Sequence, residues 1–502
     1  MSHGRGKSDR GVVPRKLANK AAGEVPAAAE LVEGRLRAKG NAVRQRMSRR
    51  SRRVYDMETA LCGIRQTAKG RPGAKFTTLM HHIYQVERLR AAYMACKRDA
   101  AAGVDGQTWA SYAQNLEANL RNLSDRLGRA GYHPQPLRRA YIDKTDGSKR
   151  PLGVPVLEDK IVQRASVEVL NAIYEQDFRG FSYGFRPRKS AHNALDAVAV
   201  GVSARKVSWI LDADIAKFFD MIEHDWLMKF IEHRVADARV LRLIKQWLHA
   251  GVLEDGQITR SELGTVQGGS ISPLLANIYL HYAFDLWVEQ WRRRHAKSDV
   301  IIVRYADDWV AGFGKRVDAQ RFRRDVTARL KTFGLTLHEK ETRLIEFGRF
   351  AREDRRRRGQ SKPETFDFLG FTHCCGATRR GKFVVLRLTS AKKMRAKLRT
   401  VHEELRIRMH RSTDEQGQYL RCVVAGHMRY YGVPRNGKRL KTFRFQIAKL
   451  WHRTLCRRSQ VRPMKWRRMA KLTTHWLPST RICHPYPNQR LIVTTQGGSR
   501  MR

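Results

Sequence analysis

Val303-Arg304-Tyr305-Ala306-Asp307-Asp308-Trp309-Val310 sets two adjacent carboxylates between two apolar, β-prone runs. Val300–Val303 and Trp309–Phe313 are short enough to be buried strands, and the residues between them suffice only for a tight turn. Adjacent Asp307 and Asp308 would repel each other and resist desolvation in such a hairpin, so a cation is expected to compensate them. An ordinary solvent-exposed turn would not need apolar runs on both sides.

A second strand carries carboxylates as well. In Trp209-Ile210-Leu211-Asp212-Ala213-Asp214-Ile215 the period of two places Asp212 and Asp214 on one face. The strand runs into Ala216-Lys217-Phe218-Phe219-Asp220. Working outward, Leu137–Val154 reads as a hairpin turning at Asp146-Gly147. The following helix is expected to bury Leu157, Ile161, Ala165, Leu170 and Ile173. Phe76–Lys97 has helical apolar spacing. Ala319, Phe322, Val326, Leu330 and Phe333 line one face of a further helix that Gly334 stops. Strands and helices mix without regular alternation, which predicts an α+β fold with an antiparallel sheet.

The chain has 502 residues, 42% of them hydrophobic, which suggests about three units. Ninety-nine Lys and Arg against 47 Asp and Glu give a net charge of +52. Such a surface calls for a polyanionic partner, and counterion release from phosphates is the usual source of affinity. The seven cysteines are scattered and form no CxxC pair, so neither a disulfide framework nor a zinc module is expected. Nothing near Met1 reads as a signal peptide, and no apolar run approaches the ~20 residues needed to span a bilayer. The expected setting is therefore intracellular, with no membrane partner.

Both ends of the chain are basic. Residues 1–53 end in Arg44, Arg46, Arg49, Arg50, Arg52 and Arg53, either an unstructured tail or an RNA-binding arm. After Leu388 the chain turns helical, with Met394, Leu398, Val401, Leu405 and Met409 as an apolar stripe beside Lys392, Lys393, Arg395, Lys397 and Arg399. From Trp451 to Arg502 there are twelve Lys or Arg and no Asp or Glu, interleaved with Trp451, Trp466, Trp476 and Tyr486. Basic side chains grip phosphates and aromatic rings stack on unpaired bases, so this segment reads as an RNA-binding surface.

The motifs together resemble those of bacterial group II intron-encoded reverse transcriptases, also called maturases. From about Phe76 to the C-terminus the matching blocks run in order: Gly103-Val104-Asp105-Gly106; the Ile142–Pro155 hairpin; Phe181-Ser182-Tyr183-Gly184-Phe185-Arg186-Pro187; the Asp214 strand; Gly264-Thr265-Val266-Gln267-Gly268 through Ser272-Pro273-Leu274-Leu275-Ala276-Asn277; Tyr305-Ala306-Asp307-Asp308; and Phe368-Leu369-Gly370-Phe371.

The resemblance implies a right-handed polymerase. Its parts would be a basic N-terminal extension over 1–75, fingers over 76–205, a palm over 206–387, a helical thumb and maturase region over 388–475, and a basic tail over 476–502. It implies two Mg2+ ions, with Mn2+ as a substitute, held by Asp214, Ile215, Asp307 and Asp308, while Asp212 supports the strand. Lys144 and Arg150 would meet the triphosphate of the incoming dNTP, Phe219 would exclude a ribose 2′-hydroxyl, and Gln267 would pack on the nucleotide. RNA contacts would come from Arg186, Lys392, Lys393, Arg457, Arg458, Arg467 and Arg468. The implied partners are intron RNA in a ribonucleoprotein, an RNA template with a DNA primer, dNTPs and target DNA, in the bacterial cytoplasm near the nucleoid.

Two departures from the family pattern stand out. In Leu337-His338-Glu339-Lys340-Glu341-Thr342-Arg343 the lysine is shifted by one place, and Val266 stands where proline is common. Without CxxC pairs or carboxylates after Trp451, the expectation is a lineage lacking an HNH endonuclease, dependent on a primer from elsewhere. Two other readings use the same surface: a domesticated reverse transcriptase in phage defence or DNA repair, and a splicing factor without polymerase activity. Intact Asp214, Asp307 and Asp308 argue against the second of these.

Overall fold

The computed structural model describes residues 49–143, 149–259, 263–265, 268–458 and 464–495. They form two compact units. The first contains the described residues up to Arg179, with Lys217–Gln290 and Arg329–Thr336; the second contains Gly180–Ala216, Trp291–Ala328 and the described residues from Leu337 onward. Compactness thus follows the sheets rather than linear order.

In the first unit the helix Leu157–Asp177 is the central element, and Leu157, Ile161, Ala165, Leu170 and Ile173 are all buried as the spacing predicts. The helices Arg49–Gly70 and Val86–Met94 pack on it. A helix therefore begins inside the expected N-terminal extension, and Met57, Leu61 and Ile64 supply its buried side. Arg44 and Arg46 lie outside the described residues. Between these helices Arg88 is fully buried, and its Nη1 donates to Glu168 Oε2 at 2.7 Å.

The expected hairpin is present as antiparallel strands Leu137–Asp143 and Lys149–Val154, paired from Arg138↔Val154 to Asp143↔Lys149. Its turn lies outside the described residues. Leu137 also pairs in parallel with Val252, which extends the sheet through Val252–Glu254 to Gln257–Thr259. Asp237 accepts from Arg239 and Val240 N–H groups at the start of Ala238–Leu248, and also from Leu79 and Met80 at 2.7 and 2.9 Å. One carboxylate so caps a helix and anchors a distant segment.

The second unit is built on a four-stranded antiparallel sheet in the order Val300–Tyr305, Asp308–Phe313, Trp209–Ala213, Arg343–Glu346. The helix Ala191–Ala204 covers it, burying Ala194, Leu195, Val198 and Val202 in one core with Val207, Ile210, Val303, Val310 and Ile345. A three-stranded antiparallel sheet, Phe383–Thr389, Phe371–Ala377 and Phe366–Phe368, adds Phe366, Phe368, Phe371 and Val385 to that core.

Beyond Leu388 the helices Ala391–Ile407, Thr413–Tyr431, Gly437–Cys456 and Trp466–Trp476 share a separate core of Met394, Val401, Leu405, Leu420, Val424, Phe443, Ile447 and Met469. The stripe foreseen for this region supplies Met394, Val401 and Leu405, whereas Met409 lies past the helix end. Trp451 is fully buried here, its indole N–H donating to Gln416 Oε1 at 2.9 Å, so it is not available to stack on a base. Trp466 and Tyr486 are exposed.

The helix Pro487–Thr495 packs on Ala191–Ala204. Asp196, 1% exposed, pairs with buried Arg387 and with Arg490, whose Nε lies 3.1 Å from Asp196 Oδ2. Removing one member of a buried ionic group strands the others without compensation. Asp196→Ala is expected to lower the unfolding free energy by about 3–5 kcal/mol, measured by equilibrium denaturation.

Candidate active site

Backbone pairing brings the carboxylates together. Trp209–Ala213 is central in its sheet, and its register with Asp308–Phe313 runs from Trp209↔Phe313 to Ala213↔Trp309. One step further along the ladder sets Asp214 level with Asp308. On the other side Asp212 pairs with Arg343, whose Nη2 lies 3.8 Å from Asp212 Oδ2. The main chain of Asp214 is held in turn, its carbonyl accepting from His338 N–H at 2.8 Å.

Tyr305↔Asp308 is the last pair of the hairpin, which leaves Ala306 and Asp307 as a two-residue turn. Ala306 has φ +58, a left-handed conformation that costs a non-glycine residue about 1–3 kcal/mol. Arg304 holds it there. Fully buried, Arg304 donates from Nη1 to the Ala306 carbonyl at 3.0 Å and from Nη2 to Ser182 Oγ at 2.8 Å. The Phe181–Gly184 segment runs beside this strand: Arg304 N–H donates to Phe181 O at 2.9 Å, and Tyr183 N–H to Arg304 O at 2.8 Å. Gly184 touches the turn itself, since a Cβ there would lie 2.3 Å from Ala306 N.

The electrostatics follow from this crowding. Burial, then the charges of Asp307 and Glu341, pushes the Asp214 carboxyl up to about 6. Burial pushes Asp212 up to about 7, with Asp367 and Asp214 adding to the rise and Arg343 opposing it. Asp308 is raised well above the ordinary carboxylate range by burial and then by Asp212, Asp214 and Asp307. Mutually destabilised carboxyls of this kind fit a divalent cation, whose charge reverses the penalty. No three His, Cys, Asp or Glu side chains among the described residues form a ready-made ligand cage. An ion that keeps water and substrate phosphates in its shell suits such an open set. Ile215 is buried and offers only its main-chain carbonyl.

The other expected site residues are distributed more widely. Arg150 is exposed and Phe219 half-buried, both in the first unit, with Phe218 buried as a core residue. Lys144, Gln267 and Val266 lie outside the described residues. Lys340 is exposed, as are Lys392, Lys393, Arg457, Arg467 and Arg468. Arg458 is engaged, its guanidinium donating to the Met409 carbonyl at 2.5 Å and to that of Arg411. Arg186 is buried and donates to Ser182 O at 2.7 Å, so its charge faces the protein interior. The supporting roles of Arg304, Ser182 and Gly184 have one legible signal, an arginine inside an otherwise apolar strand.

The reverse transcriptase (RNA-dependent DNA polymerase) family model matches residues 142–373, a stretch that includes all four strands of the carboxylate sheet. Protein YkfC of Escherichia coli is 34% identical over 273 residues, 48% of this chain and 71% of YkfC. The chain belongs to the reverse transcriptase family. Group II intron-encoded protein LtrA of Lactococcus lactis is 36% identical over 207 residues, which cover 41% of this chain and 34% of LtrA. A 91 kDa protein in the cob intron of Schizosaccharomyces pombe is 42% identical over 146 residues, 29% of this chain and 18% of its own length. Among these relatives the group II intron is named in the LtrA match alone, and the chain spans about a third of that relative's length. No helix among the described residues is long and apolar enough to cross a membrane.

Two expectations test the site. Gly184→Ala would press a methyl group onto backbone atoms that cannot yield, so it should destabilise the protein by about 1–3 kcal/mol and impair any activity of the site. Denaturation midpoints and turnover report the two effects. The second concerns pH. Carboxyls raised to about 6 and 7 make the cation-free fold lose stability as pH rises from the ordinary carboxylate range through those values, and a cation competes with their protons. Saturating Mn2+ or Mg2+ should therefore raise Tm more at pH 8 than at pH 6. An equal or larger gain at pH 6 would refute the assignment.

Proposed function

We propose that this protein is the RNA-directed DNA polymerase of a group II intron, and that it also binds its intron RNA to promote splicing and supports mobility by target-primed cDNA synthesis. The observation that carries this reading is the convergence of Asp214, Asp307 and Asp308 at one end of an antiparallel sheet, with carboxyls that need a cation. The partition into fingers, palm, and thumb with maturase region belongs to the same proposal.

In the reaction, the primer 3′-oxygen attacks the α-phosphorus of a dNTP, forming one P–O bond as another breaks to release pyrophosphate. Two Mg2+ ions, replaceable by Mn2+, would activate the attacking hydroxyl and neutralise the leaving group. Asp214 and Asp307, with the Ile215 carbonyl, would hold both ions, and Asp308 would complete the site. Arg150 and Lys144 would bind the triphosphate, Gln267 would pack on the nucleotide, and Phe219 would sterically exclude a 2′-hydroxyl.

A net charge of +52 and the exposed Lys392, Lys393, Arg457, Arg467 and Arg468 suit an RNA surface separate from this chemistry. The protein would act in the bacterial cytoplasm as a ribonucleoprotein, with target DNA and an RNA template as further partners.

The separation of surfaces gives the test. Asp307→Asn should abolish primer extension, a loss of at least about a thousandfold for a metal-dependent step, while RNA-assisted splicing stays within about twofold because phosphate contacts carry RNA affinity. Both activities are measured on one preparation. Splicing that fell as steeply as extension, with the protein folded, would overturn the two-function reading, and a wild-type protein active only in splicing would favour the non-polymerase alternative.

A further inference from the structure

We propose that Phe185 is a substrate-contacting residue, its exposed ring set beside the Ala306–Asp307 turn by a left-handed backbone so that it supports the 3′-terminal nucleotide of the primer strand. This rests on the polymerase reading and deepens it by assigning a contact to one part of the substrate.

The Phe181–Gly184 segment runs parallel to the end of Val300–Tyr305, joined to it by the Ser182–Arg304 bridge and by the main-chain bonds of Arg304 and Tyr183. Gly184 then closes against the main chain of Tyr305 and Ala306, where a Cβ would not fit. Phe185 is the next residue, so it emerges beside the turn that carries Asp307. Its φ is +55, close to the +58 of Ala306. A bulky side chain is rarely left-handed, and such strain persists only where the surroundings enforce it and gathers at functional sites. Here two strained residues meet across one glycine.

Both flanks hold Phe185 in place. Gly184 is wedged on the turn, and buried Arg186 donates from Nη1 to Ser182 O at 2.7 Å, which folds the loop back onto its own start. Between these fixed neighbours the phenyl ring is 53% exposed and meets half-buried Tyr305 with centroids 6.2 Å apart, tilted by 45°. Glycine or asparagine would adopt this backbone at little cost. The sequence instead sets a large apolar ring there and leaves it half in water, which folding alone does not reward.

The chemistry beside the ring selects its occupant. A triphosphate and its ions bring charge, to which an apolar ring offers nothing. The primer's 3′-oxygen must reach the ions at Asp307 in every cycle, and the nucleotide bearing it brings an uncharged deoxyribose face and base edge to the turn. A fixed ring gains apolar contact there and depends on no particular base. Held against it, the terminal nucleotide is kept from fraying and its 3′-oxygen stays in line with the phosphorus it attacks.

Phe185→Gly removes the ring and relaxes the backbone, Phe185→Asn also tolerates the left-handed turn, and Phe350→Ala removes an exposed ring elsewhere in the same unit. The full-length proteins are bound, without dNTP, to a DNA primer on an RNA template, with 2-aminopurine either as the last primer base or at an inner pair. Phe185→Gly should raise the fluorescence of the terminal base by about twofold or more as it frays, and leave the inner base as in the wild type. In extension it should raise KM for primer–template by about tenfold, with KM for dNTP and the half-saturating Mn2+ concentration within about twofold. Tm should hold or rise.

Unchanged terminal fluorescence, an equal rise at the inner pair, or a primer KM within about threefold of wild type overturns the proposal. So does a rise in KM for dNTP alone, a parallel loss of Mn2+ affinity, or the same effects in Phe350→Ala. If both Phe185 variants fail to fold or melt about 4 °C or more below wild type, the ring is structural and the idea falls; if Phe185→Gly alone does so, Phe185→Asn decides by the same readouts. A wild-type protein that made no cDNA would remove the polymerase reading, while the terminal fluorescence would still decide whether Phe185 meets the primer end.

Discussion

Everything at the site depends on the antiparallel ladder between Trp209–Ala213 and Asp308–Phe313. Because side chains alternate along a strand, a slip of one residue would turn Asp212 and Asp214 to the opposite face and scatter the cluster. The apolar pattern prevents the slip. Ile210 and Val310 share a face with Asp212, Asp214 and Asp308 and are buried against Ala194, Leu195 and Val198, so a shifted register would pull both out of that core as it turned the carboxylates away. The hydrophobic effect thus fixes the positions of groups that repel one another, and the repulsion is what makes the site receptive to a cation.

The repelling groups sit on a scaffold that is itself over-determined. Buried Arg304 braces a left-handed alanine, Gly184 admits the turn because it has no Cβ, and Arg186 folds the loop beside it back onto Ser182. A carboxylate cluster of this kind cannot stabilise its own geometry. Its neighbours supply the rigidity, and they do so with hydrogen bonds to main-chain atoms rather than with opposing charges.

Much of this was legible in the sequence. Alternation and helical spacing anticipate the strands, the hairpins and the buried faces of Leu157–Asp177 and of the segment from Ala319, because burial there follows local periodicity. That Asp307 and Asp308 would meet at one tight turn was legible because two charges stand between two apolar runs, and alternation on the second strand placed Asp212 and Asp214 on one face. What local pattern could not reveal is whether a given cation or ring faces inward. Arg186, Arg458 and Trp451 read as RNA-facing by type, yet Ser182 engages the first by the fold of its own loop, and Met409 and Gln416, remote in sequence, engage the other two. The approach of Phe185 to Tyr305 is hidden for the same reason, since nothing local to either residue records the other.

The hydrogen bond from Arg304 to Ser182 closes a loop of 122 residues. During synthesis, then, the Phe181–Gly184 segment and the Trp209 strand leave the ribosome long before the hairpin that completes their sheet. At about 5–20 residues per second, that apolar strand waits several seconds with unpaired backbone groups. A chain this basic is made in reach of RNA, and nascent protein with an open sheet edge is prone to misassociation. The same connectivity that gives the Ala306–Asp307 turn its rigidity therefore makes early capture of RNA, or shelter by a chaperone, an advantage for the newborn chain.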